Sequence, residues 1–237
     1  MRSLLVVDLG QQSYEDTLVL QREAARARIA GVLDQDLLLL VEHPPVVTLG
    51  RSSKEAHLLA SPALLRDRGV ALFEVERGGD VTFHGPGQLV GYPIVDLKRH
   101  RQDLHWYLRQ VEELLIRALA TYGLSCRRQE GYTGVWIEDR KIASIGVHAR
   151  DWVTWHGFAL NVATDLRFFD LIVPCGIQAV RMTSVRQELG DASVTVADAA
   201  DRTARSAADV FGLELASFTA EQLYAVLPSV RSSAVAG

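Results

Sequence analysis

Between residues 133 and 162 the chain carries three runs of strand character, 134–138, 141–147 and 152–162, joined by a polar Asp139-Arg140 turn and one short connection. A parallel crossover needs a dozen residues or more, so strands linked this tightly must pair antiparallel. That requirement limits the architecture. A doubly wound fold would need strands alternating regularly with helices, and the chain shows no such alternation. The expectation is an α+β domain with a mixed, largely antiparallel sheet flanked by helices.

Periodicity elsewhere supplies the flanking elements. After Ser13, the residues Leu18, Ala25, Ile29 and Val32 recur at helical spacing and predict an amphipathic helix over 14–33. The apolar run 37–41, stopped by Pro44-Pro45, is short enough for a buried strand, and 46–49 reads as another. Ser61 with Pro62 just inside and Gly69 just past the end marks a short helix, followed by a strand over 70–75. Leu104, Leu108, Val111, Leu115 and Ala118 form one stripe of a helix ended by Gly123, and the stripe is expected to face the core. Residues 194–211 read as an Ala-rich helix stopped by Gly212, Thr219 and Gln222 as a capping box, and 232–237 as a frayed tail. No linker and no internal repeat divides the chain, so 1–237 is expected to be a single catalytic domain.

Composition narrows the function. With 48% hydrophobic and 23% charged residues in 237, a core forms without staples. The balance of 25 basic and 29 acidic residues, net −4, with no dense Lys/Arg stripe, argues against nucleic acid. No apolar run approaches the ~20 residues of a membrane span, and residues 1–9 are too short and too soon acidic for a signal peptide. A cytoplasmic, membrane-free protein is expected. Two cysteines exclude a disulfide scaffold, and no Cys/His cluster has zinc spacing, so neither metal nor cofactor is expected.

Two segments could carry chemistry. The first is the glycine-rich run 77–88, which lacks the P-loop lysine and the dinucleotide-binding spacing. Alone it reads as a long loop, but Arg77, Thr82 and His84 inside it, between strands, are the kind of polar groups that binding loops present. The second is Pro174-Cys175-Gly176. A lone cysteine is most often a small buried hydrophobe, and Cys126 is assigned to packing. At Cys175, however, Pro174 fixes the approach and Gly176 permits a sharp turn that leaves its N–H open to an incoming acyl oxygen. An ordinary thiol is only a few per cent thiolate at neutral pH, so it needs a cation or base beside it. His43, His84, His148, His156 and Lys141 are the candidates. Most hairpin lysines are simply solvated, yet one whose stem enters an apolar pocket could serve as a base. His156 is more often a structural imidazole than a catalyst.

Taken together, Glu42-His43-Pro44-Pro45, Thr48-Leu49-Gly50-Arg51, the run 77–92, Gly134-Val135-Trp136, 141–146, 156–162 and Pro174-Cys175-Gly176 closely resemble the bacterial lipoyl (octanoyl) transferases in type and order. The resemblance covers about 40–185 and is weak before 35 and after 190. It implies a domain related to biotin and lipoate ligase catalytic domains, with a core near 35–215. It also implies ping-pong transfer of octanoyl, or lipoyl, from acyl carrier protein to a lysine of the lipoyl domains of 2-oxoacid dehydrogenases or of glycine cleavage H protein. Cys175 would form the acyl thioester and Lys141 would lower its pKa. Substrate contacts carry over to Arg77, Gly78, Gly79, Asp80, Val81, Thr82, Phe83 and His84, to Ser144, Ile145 and Gly146, and to Gly157, Phe158 and Ala159. Phe83 departs from the tyrosine of many relatives. Ala143, Ser144, Gly146, Gly157 and Ala159 are expected to leave room for the acyl chain, and Arg51, Lys54, Arg127, Arg128 and Arg150 to receive an acidic carrier. The alternatives are an ATP-dependent lipoate or biotin ligase, which needs no nucleophilic cysteine, a noncatalytic acyl-binding module, and a thiol hydrolase.

Overall fold

The computed structural model describes residues 2–177 and 180–227; the expected tail at 232–237 lies outside them. The chain opens on a strand that periodicity had not marked, β1 (Ser3–Gln11), and continues into α1 (Tyr14–Ile29). Ser13 caps α1, its Oγ accepting from the Asp16 N–H. The helix stops before 33 because Gly31 turns to φ 73°. The Val32 and Leu33 N–H groups then both return to the Ala27 carbonyl, leaving Val32 63% exposed while Leu33 enters the core.

Next come β2 (Asp36–Glu42), β3 (Val46–Leu49), α2 (Pro62–Asp67), β4 (Ala71–Glu74), β5 (Val81–His84) and β6 (Gln88–Ile94). The glycine-rich run is therefore not one loop, since β5 occupies its middle. The long helix α3 (Leu104–Ala120) precedes β7 (Arg127–Gln129), β8 (Tyr132–Ile137), β9 (Arg140–Arg150) and β10 (Val153–Asn161). The last elements are β11 (Arg181–Met182), α4 (Val185–Leu189), α5 (Val196–Phe211), β12 (Glu214–Ser217) and α6 (Ala220–Val226). Gly212 stops α5 in the left-handed region, and Thr219 with Gln222 closes the capping box on α6.

The main sheet runs β12-β1-β2-β6-β10-β9-β8-β7, with β11 beside β9. The β1–β2, β1–β12 and β9–β11 pairs are parallel and the others antiparallel, so β8, β9 and β10 form the tight meander their short links require. The molecule is a single α+β domain. Along β2 the side chains alternate: Leu38 and Leu40 face the layer under α3 and α5, and Leu37, Leu39 and Val41 the layer under α1. Burial on both faces explains why its sequence is uninterruptedly apolar. A second sheet, β4-β3-β5, covers a smaller core around Val47, Val81, Phe83 and Phe169. β1 and α1 complete the main sheet and its core outside the 35–215 region. No helix among the described residues is long and apolar enough to cross a membrane.

One buried ion pair joins helix to sheet. Arg28 of α1 donates to Asp36 Oδ1 of β2 at 3.2 and 3.1 Å, and the Asp96 N–H and His100 Nε2 complete the carboxylate's shell at 3.0 and 2.7 Å. Burial alone would push the Asp36 carboxyl up, but the bonds from His100 and the Asp96 amide, with the charges of His100 and Arg28, hold it below the usual carboxylate range. A lowered folded value contributes stability that is present above about pH 4 and lost as the pH falls through it. Asp36→Ala is accordingly expected to cost about 3 kcal/mol at pH 7 in urea unfolding, with a deficit that narrows in acid. A deficit of the same size at pH 7 and in strong acid would contradict the assignment.

Candidate active site

Lys141 sits near the start of β9, 1% exposed, directly across from Trp136 of β8. β11 pairs with this end of β9, Met182 opposite Lys141, and the Thr183 N–H donates to the Lys141 carbonyl at 3.0 Å. This pairing carries the preceding turn, Pro174–Gly176, over the lysine. Lys141 Nζ donates to Cys175 Sγ at 3.1 Å although 34 positions separate them in the chain. Ser144, on the same strand, has its Oγ 3.7 Å from the sulfur. Cys175 itself lies in the left-handed region, φ 56° and ψ 21°, a strained conformation for a residue with a side chain. The turn is held by the Val173 N–H donating to the His57 carbonyl at 2.8 Å.

The thiol is half-buried in the cavity wall, and its partial desolvation by itself raises its pKa; the charge and hydrogen bond of Lys141, the Ser144 hydroxyl and the charge of Arg77 outweigh this and bring it below the ordinary value. The magnitudes make that ordering reasonable. At an effective dielectric of about 20, unit charges at this separation attract by about 5 kcal/mol. Cys126 is the opposite case: half-buried against the main core with only Glu188 adding its charge, its thiol is pushed up to about 11.

A cavity of about 500 Å³ opens beside the pair. Among the residues carried over by resemblance, Arg77, Gly78, Gly79, Asp80, Thr82, His84, Ser144, Ile145, Gly146, Gly157, Phe158 and Ala159 line it, together with Lys141 and Cys175. Val81 and Phe83 do not. They alternate with Thr82 and His84 on β5, so their side chains turn into the small core, where Phe83 stacks on Phe168 at 4.8 Å. The missing Phe83 hydroxyl therefore falls outside the cavity wall. Ala143, expected to make room for the chain, is likewise buried in the main core, on the other face of β9 from Ser144. Gly146 and Gly157 do line the cavity, yet the space over them is already filled: a Cβ at Gly146 would stand 2.8 Å from the Gly78 carbonyl, and one at Gly157 2.2 Å from the Gly91 carbonyl. Gly146 thus lets the 77–80 segment dock on β9, where the Gly78 N–H donates to the Val147 carbonyl at 2.8 Å.

Two other expectations, on Gly176 and Leu104, are corrected. The Gly176 N–H is not open to substrate, because it closes the turn on the Val173 carbonyl at 3.0 Å. Leu104, expected in the core stripe of α3, is 40% exposed and joins Leu108 on the cavity wall. Of the five expected docking cations, Arg128 is bound by Glu112 and Glu113, Arg127 by the Glu138 carbonyl and Arg150 by Asp151. None of the four histidine candidates contacts the sulfur. His43 bridges the Gln12 carbonyl and the Tyr92 hydroxyl, His148 meets the Glu76 carbonyl, and His156 lies 3.7 Å from Glu76.

His84 sits in a defined relay. Asn161 Nδ2 donates to the Thr183 carbonyl at 3.0 Å, so its Oδ1 is free to accept from Gln88 Nε2 at 2.9 Å. Gln88 Oε1 then accepts from His84 Nδ1 at 2.8 Å, leaving Nε2 as the imidazole's acceptor. Burial lowers His84 to about 3, so the ring is neutral at any physiological pH. Arg77 is buried too, its guanidinium pinned to Thr48 Oγ1 and to the Thr48 carbonyl at 2.9 and 2.8 Å, with no carboxylate in ion-pair contact among the described residues. Sequence reasoning passed over His57, whose Nδ1 is 2.6 Å from Asp80 Oδ2; the pair lies against Gly176, where a Cβ would stand 2.6 Å from that oxygen. Its position on a single helical turn between Glu55 and His57 carries no periodic or motif signal.

The model of the lipoyl protein ligase A/B catalytic domain matches residues 13–208. The octanoyltransferase of Acidobacterium capsulatum is 49% identical over 223 residues, covering 88% of this chain and 90% of its own length. This chain belongs to the lipoyl protein ligase A/B family. Within the family it is an acyltransferase of the octanoyltransferase kind, as a second relative indicates: the octanoyltransferase of Chloroflexus aurantiacus is 49% identical over 217 residues, covering 90% of this chain and 96% of its own. The bi-partite lipoate protein ligase of Thermoplasma acidophilum shares the family fold, with a TM-score of 0.74 at 17% identity over 98% of this chain and 93% of that one.

The contrast between the two thiols of this family member is directly measurable. At pH 7 iodoacetamide is expected to modify Cys175 at least about tenfold faster than Cys126, read by peptide mass spectrometry. Equal rates would contradict activation by Lys141.

Proposed function

We propose that this enzyme moves an octanoyl, or lipoyl, group from acyl carrier protein to a lysine of a lipoyl domain through a thioester on Cys175. The observation that carries the reading is the 3.1 Å contact between Lys141 Nζ and Cys175 Sγ at the wall of a 500 Å³ cavity. The thiolate attacks the donor thioester, the new carbon–sulfur bond forms as the carrier's sulfur departs, and the Lys141 ammonium gives that sulfur its proton. Lys141 is then a neutral amine. It takes a proton from the incoming lysine, which is mostly protonated at pH 7, and the freed amine attacks the acyl-enzyme; the carbon–sulfur bond breaks, the nitrogen releases its second proton to solvent, and an amide and the Cys175 thiolate result. Exchange of one thioester for another is nearly isoenergetic and the amide is more stable, so no nucleotide is consumed. A ligase that activates free acid would not need the cysteine.

Phe158, Ile145 and Ala159 support an acyl site in the same cavity. Seven buried methylene or methyl groups at about 0.8 kcal/mol each contribute roughly 5 to 6 kcal/mol, enough to favour an eight-carbon chain over much shorter ones. Arg77 and His84 supply a fixed cation and a fixed acceptor on its polar wall. Among the expected docking cations, Arg51, Lys54 and Arg127 have no ion pair among the described residues; Arg127 is bonded to the Glu138 carbonyl, and the Arg51 N–H is bonded to the Arg77 carbonyl at the cavity edge. The acceptors are lipoyl domains of 2-oxoacid dehydrogenases and glycine cleavage H protein. A reactive free thiol suits a reducing compartment, and the enzyme is assigned to the cytoplasm. Residues 1–237 act as one catalytic unit in this reading.

Incubation with octanoyl carrier protein is expected to add one octanoyl mass to the intact enzyme. The adduct is absent in Cys175→Ala and forms at least about a hundredfold more slowly in Lys141→Ala. An unmodified wild-type enzyme that still acylates a lipoyl domain would overturn the covalent route.

A further inference from the structure

The cation beside Cys175 is held without a carboxylate. Lys141 Nζ has no acidic side chain within ion-pair distance among the described residues; it touches the sulfur and lies 5.5 Å from the centroid of the Trp136 ring. Where this ammonium sits is therefore a matter of packing around its stem, and one residue stands beneath it. Gly134 of β8 has φ 139°, a backbone region that residues with side chains rarely enter. A Cβ there would stand 2.7 Å from Lys141 Cε, 3.3 Å from its Nζ and 2.7 Å from the Ala143 carbonyl. The lysine arm lies in the space that the missing side chain leaves.

The backbone at Gly134 is itself fastened. Its N–H donates to Glu112 Oε1 of α3 at 3.2 Å. Glu112 is fully buried, and its other oxygen accepts from Arg109 Nη1 at 2.6 Å and Arg128 Nε at 3.1 Å. The two arginines balance the carboxylate, which leaves Oε1 for the amide. The mechanism above has no use for this buried carboxylate.

We propose that Gly134 is a positioning residue that sets the Lys141 ammonium against the Cys175 sulfur, and that Glu112 holds Gly134 in the required backbone conformation. The proposal rests on the Cys175–Lys141 reading and deepens it. A methyl group at 134 pushes the lysine arm away from the sulfur, and the thiol loses the charge that offsets its burial. The other charged or titratable groups around the pair are Arg77 and Asp80 from the glycine-rich segment and His57 behind the turn; none of them lies on β8 or α3. Glu112, Arg109 and Arg128 face Gly134 from α3 and β7.

The pH dependence of Cys175 alkylation reads the effect, together with kcat and KM for octanoyl carrier protein. In Gly134→Ala the midpoint is expected to move up by at least one pH unit, about tenfold slower labelling at a fixed pH below it, while kcat falls and KM is unchanged. Gly123→Ala imposes a comparable positive-φ strain, φ 80°, at a site with nothing within 4 Å of the added Cβ, and is expected to leave the midpoint in place. Should Gly134→Ala not fold, the same chain of contacts is tested on α3: Arg109→Ala leaves Oε1 and Arg128 in place and retains the midpoint, whereas Glu112→Ala raises it. A low wild-type midpoint that Gly134→Ala, or the Glu112→Ala variant in its stead, leaves unmoved overturns this proposal alone. An ordinary wild-type thiol midpoint overturns the pair and the proposal with it.

Discussion

A buried ammonium and a half-buried thiol are each disfavoured as lone ions, and at 3.1 Å they can be charged together. Burial of either ion by itself is disfavoured by several kcal/mol, so each makes the ionised form of the other tolerable. The rest of the site is organised around keeping that contact short and dry. β9 supplies the lysine, β11 ties the Cys175 turn to the same strand, and the His57 carbonyl fixes the turn from behind. Arg77 adds a second cation, held by a threonine rather than by an acid, so its charge is left uncancelled by direct pairing and is felt at the sulfur.

The sheet explains why residues from such distant segments meet. β10 lies between β9 and β6 in the main sheet, so residues of these strands bring one wall of the cavity together. The second sheet brings the glycine-rich segment to the opposite wall, and the close approach needs Gly146 on the strand it meets. The cavity is thus the gap between two sheets, not a hollow inside one. Part of its polar wall comes from the short strand β5, whose alternation sends Thr82 and His84 to the cavity and Val81 and Phe83 to the core.

Much of this was legible in the sequence wherever a local rule governs. Ser13, Ser61 and Thr219 cap helices where their types and spacing predict, and a tight turn forces the antiparallel meander, although it falls at Glu138-Asp139, one residue before the expected Asp139-Arg140, with Arg140 already paired in β9. Tertiary context governs the rest. Over residues 4–7 β1 carries no alternation because Leu4 and Val6 pack on one core and Leu5 and Val7 on the other, and Leu104 satisfies the helical period of α3 although the surface it meets is a cavity and not a core. The Gly176 amide could be read as an oxyanion donor only while the turn that consumes it was unseen. His57 and Glu112 act through contacts to backbone and to single side chains far away in the chain, which no spacing announces.

The most direct test of the central claim is the ultraviolet absorbance of the thiolate at neutral pH, taken as the difference between the Cys126→Ser enzyme and the Cys126→Ser, Cys175→Ser double variant. The ion-pair account predicts a thiolate signal that persists below pH 7 and disappears when Lys141 is replaced by methionine. A Cys175 that ionises only above pH 8, or one whose titration is the same with and without the lysine, would contradict it.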